Sequence, residues 1–220
     1  PFARFGAEWL GWDVANGLAA PHPVLPQLAA SISELTAVPR KYGFHGTIKP
    51  PFGLAENTSL AGLQSALEEF CAGRPAIQLE GLRLTALGRF LALVPTGDTG
   101  PLCDLAAATV QTMDEFRAPA EAAERAKRRK TNLTPSQDQN LVTWGYPYVM
   151  QDFRFHLTLT GKLPKTDLAT TQAALQPDTP LVTPWSQSSP SLCTPSPQAG
   201  AAQTGFAGSA SLQMAPSSQG

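Results

Sequence analysis

Two histidines stand in the same four-residue setting, Phe44-His45-Gly46-Thr47 and Phe155-His156-Leu157-Thr158. Each setting lies in a run that alternates apolar and polar residues. In the second run Phe153, Phe155, Leu157 and Leu159 fall on one side, and Arg154, His156, Thr158 and Thr160 on the other. In the first, which opens at Tyr42, residues Phe44, Gly46 and Ile48 oppose His45, Thr47 and Lys49. A period of two predicts half-buried β-strands, whose alternate residues face one way roughly 6–7 Å apart. Each His and its Thr would then face one cleft.

An imidazole titrates near neutral pH, so it can act as base or as acid. Two imidazoles facing each other can divide the roles. One takes a proton from an attacking oxygen; the other gives one to a leaving oxygen. A Thr hydroxyl beside each can hydrogen-bond a non-bridging phosphate oxygen. Lys49 and Arg154, on the same strand faces, can neutralise charge developing on phosphorus. With Tyr42 they form the expected substrate-binding set. The whole suits in-line displacement at a phosphodiester and calls for no metal or other cofactor.

Simpler explanations compete. A single histidine on a strand is more often structural than catalytic, and one H-x-T is a weak signal. Two copies, each after Phe and each with alternating flanks, weigh much more. A zinc site lacks a third ligand, because no acidic residue stands within either motif. No elbow motif surrounds a Ser or Cys. The third histidine, His22 in Pro21-His22-Pro23, reads as an exposed loop residue.

Composition sets outer limits. The 220 residues carry a net charge of −1, which exerts no global pull toward nucleic acid or an anionic membrane. The length allows one domain or two small lobes. Cys71, Cys103 and Cys193, odd in number and far apart, argue against a disulfide framework and fit a reducing cytosol. No apolar run reaches spanning length, and the N-terminus lacks a signal-peptide pattern. The expectation is a cytoplasmic monomer with a small phosphorylated substrate and no membrane partner.

Several elements must position the two motifs. Residues 2–12 and Leu25 to Leu35 predict helices. The first motif strand runs over about 41–49, and Pro50-Pro51 ends it. Leu60, Leu63, Leu67 and Phe70 mark a helix stopped by Gly73. Ile77 to Leu84 and Arg89 to Pro95 predict a hairpin, and Pro101 opens another helix. Arg125-Ala126-Lys127-Arg128-Arg129-Lys130 reads as a solvated helix end rather than a substrate patch. Thr134-Pro135-Ser136-Gln137 predicts a capping box, for a helix running to Trp144 and stopped by Gly145. Strands mix with helices without βαβ alternation, which predicts α+β with two lobes, each donating one H-x-T strand. After Leu163 only Lys165, Asp167 and Asp178 carry charge. Residues 164–220 read as a low-complexity, mostly disordered tail that can add one helix at 164–176.

The paired motifs resemble the two-histidine (2H) phosphoesterase superfamily. The strings Arg40-Lys41-Tyr42-Gly43-Phe44-His45-Gly46-Thr47-Ile48-Lys49-Pro50-Pro51-Phe52 and Trp144-Gly145-Tyr146-Pro147-Tyr148-Val149-Met150, with Phe153 to Gly161, are similar to its bacterial branch associated with phosphonate-utilisation operons. The resemblance covers about residues 2–163. It implies a bilobal fold of two pseudo-symmetric lobes of antiparallel strands, with flanking helices, around a central cleft. It also implies a strand ahead of the first helix, which a chain beginning at Pro1 lacks. It implies metal-independent cyclic phosphodiester hydrolysis or 2′-5′ phosphodiester chemistry, with acid and base roles for His45 and His156 and phosphate contacts for Thr47 and Thr158. A cyclic phosphodiesterase on a small phosphorylated sugar or nucleotide is the leading expectation. The alternatives are RNA-end chemistry (2′,3′-cyclic phosphate opening or 2′-5′ ligation) and a phosphate-ligand binding module without turnover.

Overall fold

The computed structural model describes residues 2–176 and the strand Ser209–Met214. Its elements follow the chain as helix α1 (Phe2–Leu10), strands β1 (Trp12–Asp13) and β2 (Leu18–Ala19), helix α2 (Ile32–Leu35) and strand β3 (Gly46–Gly53). Then come helix α3 (Leu60–Ala72), the hairpin β4 (Gly81–Leu87) and β5 (Phe90–Thr96), and helices α4 (Gly100–Thr112), α5 (Ala122–Arg129) and α6 (Pro135–Trp144). Strand β6 (Leu157–Thr158), helix α7 (Lys165–Leu175) and strand β7 (Ser209–Met214) complete the order. The class is α+β, as expected. The two motifs share one antiparallel five-stranded sheet ordered β4-β5-β6-β3-β7, and β1 and β2 form a separate ribbon.

Two hydrophobic clusters hold these layers together. The larger gathers Trp9 and Leu10 of α1, Ile48 of β3, Leu91 and Leu93 of β5, Leu102 and Ala106 of α4, Phe155, Leu157, Leu159 and Leu175. The Trp9 indole also donates to the Leu159 carbonyl at 2.8 Å, tying α1 to the end of the second motif. The smaller cluster is Phe52, Leu63, Leu67 and Met113. It joins α3 to the far end of β3.

Five local expectations change. Only one turn of the helix expected over Leu25 to Leu35 forms, at Ile32–Leu35, behind a Ser31–Glu34 capping box. Strand β3 continues through Pro50 and Pro51 to Gly53. Its register against β7 shifts between Thr47 and Lys49 and again between Lys49 and Phe52, and such irregularities tolerate residues that cannot donate to a ladder. His22 is half-buried rather than exposed: its Nδ1 lies 3.0 Å from the Trp9 carbonyl and its Nε2 3.1 Å from the Arg40 guanidinium. Cys71 is disulfide-bonded, so only Cys103 is a free thiol among the described residues. In the stretch read as a disordered tail, α7 packs Leu175 into the larger cluster and Ser209–Met214 pairs with β3. Residues 177–208 and 215–220 lie outside the described residues. No helix among the described residues is long and apolar enough to cross a membrane.

The first shift puts a charge in the core. Alternation would turn Lys49 outward with His45 and Thr47, but Lys49 is 1% exposed. Its ammonium donates to the Val110 carbonyl at 3.2 Å and stands 3.6 Å from Asp114, over the Phe52 ring. Arg117 already holds that carboxylate with two bonds, at 2.7 and 3.0 Å. Burial lowers the Lys49 pKa to about 8, against the pull of Asp114. Between that value and the unfolded one near 10.5, the unfolded chain binds more protons. Stability therefore rises with pH across this window. The rise should be on the order of 3 kcal/mol. Lys49→Met should abolish it and match or exceed wild-type stability at pH 7, because Arg117 keeps Asp114 paired. Denaturant melts of both proteins at pH 7, 8, 9 and 10.5 check this; parallel curves would contradict it.

Candidate active site

Strands β3 and β6 meet at one pair, Gly46 opposite Leu157. Carrying this antiparallel register one residue either way sets His45 beside Thr158 and Thr47 beside His156. Each histidine thus neighbours the other motif's threonine, at a cross-strand spacing of about 4.5–5.5 Å. The two imidazoles are near enough that the charge of His156 opposes protonation of His45. The close approach depends on Gly46: a Cβ there would lie 2.3 Å from the Phe155 ring.

Both rings are held in the same way. His45 Nδ1 lies 3.0 Å from the Gly43 carbonyl, and His156 Nδ1 lies 2.8 Å from the Arg154 carbonyl. A carbonyl can only accept, so each Nδ1 carries a proton and each Nε2 is left for chemistry. An aromatic ring steadies each imidazole. Tyr42 meets His45 edge-on at 5.3 Å, and Phe90 meets His156 at 5.8 Å. The Tyr42 hydroxyl also hydrogen-bonds Thr158, which bridges the two motifs. Burial is the main cause that lowers the His45 pKa; the Gly43 carbonyl works against it, and the His156 charge adds to it.

The structure therefore brings together Tyr42, His45, Thr47, His156 and Thr158. Arg154 is exposed on the run that enters β6. Lys49 is not with them: the bulge turns it into the core, so it is corrected from substrate contact to buried cation. Thr160 also leaves the expected polar face. It is buried, and its hydroxyl accepts from the Leu91 amide at 3.0 Å and donates to the Gly161 carbonyl at 2.9 Å. Sequence reading missed Phe90. Its place follows from the pairing: Ala92 lies opposite Thr158, and alternation along β5 puts Phe90 on the same face. Among the described residues no group of three or more His, Cys, Asp or Glu could hold a metal ion.

Fold and site together define an α+β protein in which adjacent strands of one sheet deliver two matched histidines. The chain belongs to the family described as "Protein of unknown function (DUF1045)", which matches residues 47–187. That match contains the whole second motif and takes up the first at Thr47. Two curated relatives bear the name "Ribose 1,5-bisphosphate phosphokinase PhnN", an enzyme name. The protein of Janthinobacterium sp. (strain Marseille) is 39% identical over 174 residues, which is 76% of this chain and 37% of the relative. The protein of Laribacter hongkongensis (strain HLHK9) is 30% identical over 167 residues, again 76% of this chain and 38% of the relative. The chain thus spans less than two-fifths of the length of the curated relatives it matches. No solved structure matches it.

Gly43 aims the carbonyl that holds His45. Its φ is +76°, and a Cβ there would stand 2.7 Å from the Val14 side chain. Gly43→Ala should lose about 1–2 kcal/mol from the left-handed backbone alone, and more from the overlap. Gly17, with φ +67° and open space around it, supplies the control. Thermal melts should show Gly43→Ala clearly less stable than Gly17→Ala; equal losses would mean that Val14 simply moves aside.

Proposed function

We propose that this chain is a metal-independent cyclic phosphodiesterase of the two-histidine kind, with residues 1–163 as the catalytic unit and a small phosphorylated sugar as substrate. One observation carries the reading: two imidazoles on adjacent strands, each fixed through Nδ1 by a carbonyl two residues earlier and each beside the other motif's Thr. Nothing in the core requires this repeated arrangement. His45, whose charged form burial disfavours, is the base. Its Nε2 takes a proton from water as the water oxygen bonds to phosphorus. His156 Nε2 gives a proton to the leaving oxygen as its bond to phosphorus breaks. Thr47 and Thr158 bind the non-bridging oxygens, Thr158 by exchanging its Tyr42 partner for the substrate. Arg154 supplies the cation that Lys49 cannot.

The relatives' name narrows the substrate. A ribose 5-phosphate carrying a 1,2-cyclic phosphate becomes ribose 1,5-bisphosphate when water attacks phosphorus and the bond to O2 breaks. The product is what the relatives' name says those kinases act on. This supports phosphonate metabolism as the setting, that of the family branch its motifs resemble. The kinase step itself is assigned to the part of the relatives that this chain does not match. A phosphate-cradling G-x-x-x-x-G-K-[ST] loop is absent from the sequence: the one Gly-Lys pair, Gly161-Lys162, has His156 five positions before the Gly and Leu163 after the Lys.

One observation favours RNA ends as a second reading. The Arg128 guanidinium of α5 lies 4.7 Å over the Tyr146 ring, and Tyr148 beside it is 44% exposed. That is a short basic and aromatic track.

A panel of cyclic phosphodiesters in excess chelator separates these readings. Turnover of sugar cyclic phosphates is expected, with loss of about a hundred- to ten-thousand-fold in His45→Ala and in His156→Ala. Near-native turnover in either variant defeats the paired mechanism. Recovery only with a divalent ion replaces it with metal activation. Preference for RNA ends, with binding that weakens steeply in salt, supports the second reading. Tight binding without turnover makes the chain a phosphate-ligand module.

A further inference from the structure

The approach to His156 lies mostly outside the sheet, since only Leu157 and Thr158 join the ladder. Something else must fix the Arg154 carbonyl on which His156 Nδ1 depends. The Phe155 ring against Gly46 is one support. The other is a clasp from α6 on Asp152. The Asp152 carboxylate accepts from Ser136 Oγ at 2.6 Å, from Gln137 Nε2 at 3.2 Å and from Asn140 Nδ2 at 3.2 Å. Asn140 is buried, and its amide also donates to the carbonyls of Pro147 at 3.3 Å and Val149 at 3.0 Å. The turn between them is unusual, because Met150 has φ +53°, a region that non-glycine residues seldom occupy. Such a conformation persists when its surroundings over-determine it.

The helix end is itself pinned. Gln137 Oε1 accepts from the Thr134 amide at 3.1 Å, closing the capping box. The same side chain's Nε2 is thereby presented to Asp152. One short stretch of sequence, Thr134 to Asn140, thus starts a helix and grips the segment that carries the second motif.

We propose that Asp152 and Asn140 are the positioning residues of His156. They hold residues 147–153 so that the Arg154 carbonyl meets Nδ1 and keeps Nε2 toward the cleft. The proposal rests on the two-histidine reaction in its kinetic consequence, but the orientation of the ring can be read without turnover.

The test uses the full chain labelled with nitrogen-15, with both histidine rings followed by NMR alongside kinetics on a sugar cyclic phosphodiester. Asp152→Asn keeps size but places an amide donor against those of α6. Its His156 nitrogen resonances should move toward the average of two exchanging tautomers, while those of His45 stay in place. Turnover should fall about 10- to 100-fold, the range for loss of an orienting partner, with KM changed less than about twofold. A lower melting temperature with wild-type His156 resonances overturns the proposal. Should Asp152→Asn fail to fold, Ser136→Ala combined with Gln137→Ala removes two of the three donors and leaves the backbone bonds of Asn140. Wild-type resonances there overturn it equally. If the wild-type protein turns over no cyclic diester, the enzymatic reading fails alone, and the His156 resonances still decide the clasp.

Discussion

The site depends on one register. Gly46 stands opposite Leu157, and from that pairing each histidine gains the other motif's threonine as neighbour. A slip of one residue would turn every side chain of β6 to the opposite face. Such a slip is opposed from below. Phe155 needs the bare backbone of Gly46, and Leu157 and Leu159 are committed to the large cluster. The hydrophobic effect that assembles the sheet is therefore the force that aims the polar face. The second motif cannot slip without pulling Leu157 and Leu159 toward water, which costs about 1.5–3 kcal/mol each.

The motifs were legible because period-two alternation and a repeated tetrapeptide are local signals. The hairpin, α3, α4 and the capped α6 were legible for the same reason. What escaped was set by pairing and packing. Lys49 reads as a cleft residue by counting, yet an irregularity in β3 turns it inward, and one bulge is invisible to periodicity. Thr160 follows the polar side of its run, yet its hydroxyl is drawn to the Leu91 amide where the strand leaves the ladder. Leu25 to Leu35 has helical spacing, but Pro26 removes a donor within it, and the chain turns helical only behind the cap at Ser31. Asp152 belongs to none of the patterns read from the sequence. Its importance lies in three donors from a helix that begins 17 residues earlier, which no local pattern announces.

The Lys49 and Asp114 arrangement shows how the smaller cluster restrains the site. The end of β3 beyond the motif is anchored twice, by Phe52 among Leu63, Leu67 and Met113, and by an ammonium that reaches the Val110 carbonyl and Asp114. Arg117 extends the same carboxylate to the Thr143 carbonyl at the end of α6. A single helix thus takes part in fixing both motif strands, the first through this buried ion group and the second through Asn140 and Asp152. The buried charge is a weak source of stability, since desolvation offsets much of its attraction. Its more defensible value is geometric, because an ammonium must keep its partners and so holds β3 in one register against α4.

Chemically matched motifs still need unequal surroundings if one imidazole is to accept a proton while the other donates. The structure supplies that inequality. The His45 bond to Gly43 is half-buried, roofed by Tyr42, whereas the His156 bond to Arg154 is exposed beside a guanidinium-bearing residue. Burial penalises the charged form of a ring and lowers the His45 pKa, which suits that ring to accept a proton. In the proposed reaction this favours His45 as the base. The Tyr42–Thr158 bond then acquires a second meaning. It engages the Thr158 hydroxyl and so keeps a polar group satisfied. A phosphate that displaces it replaces one hydrogen bond with a charge-assisted one. Binding therefore costs little desolvation at the point where the attacking oxygen must lose its proton.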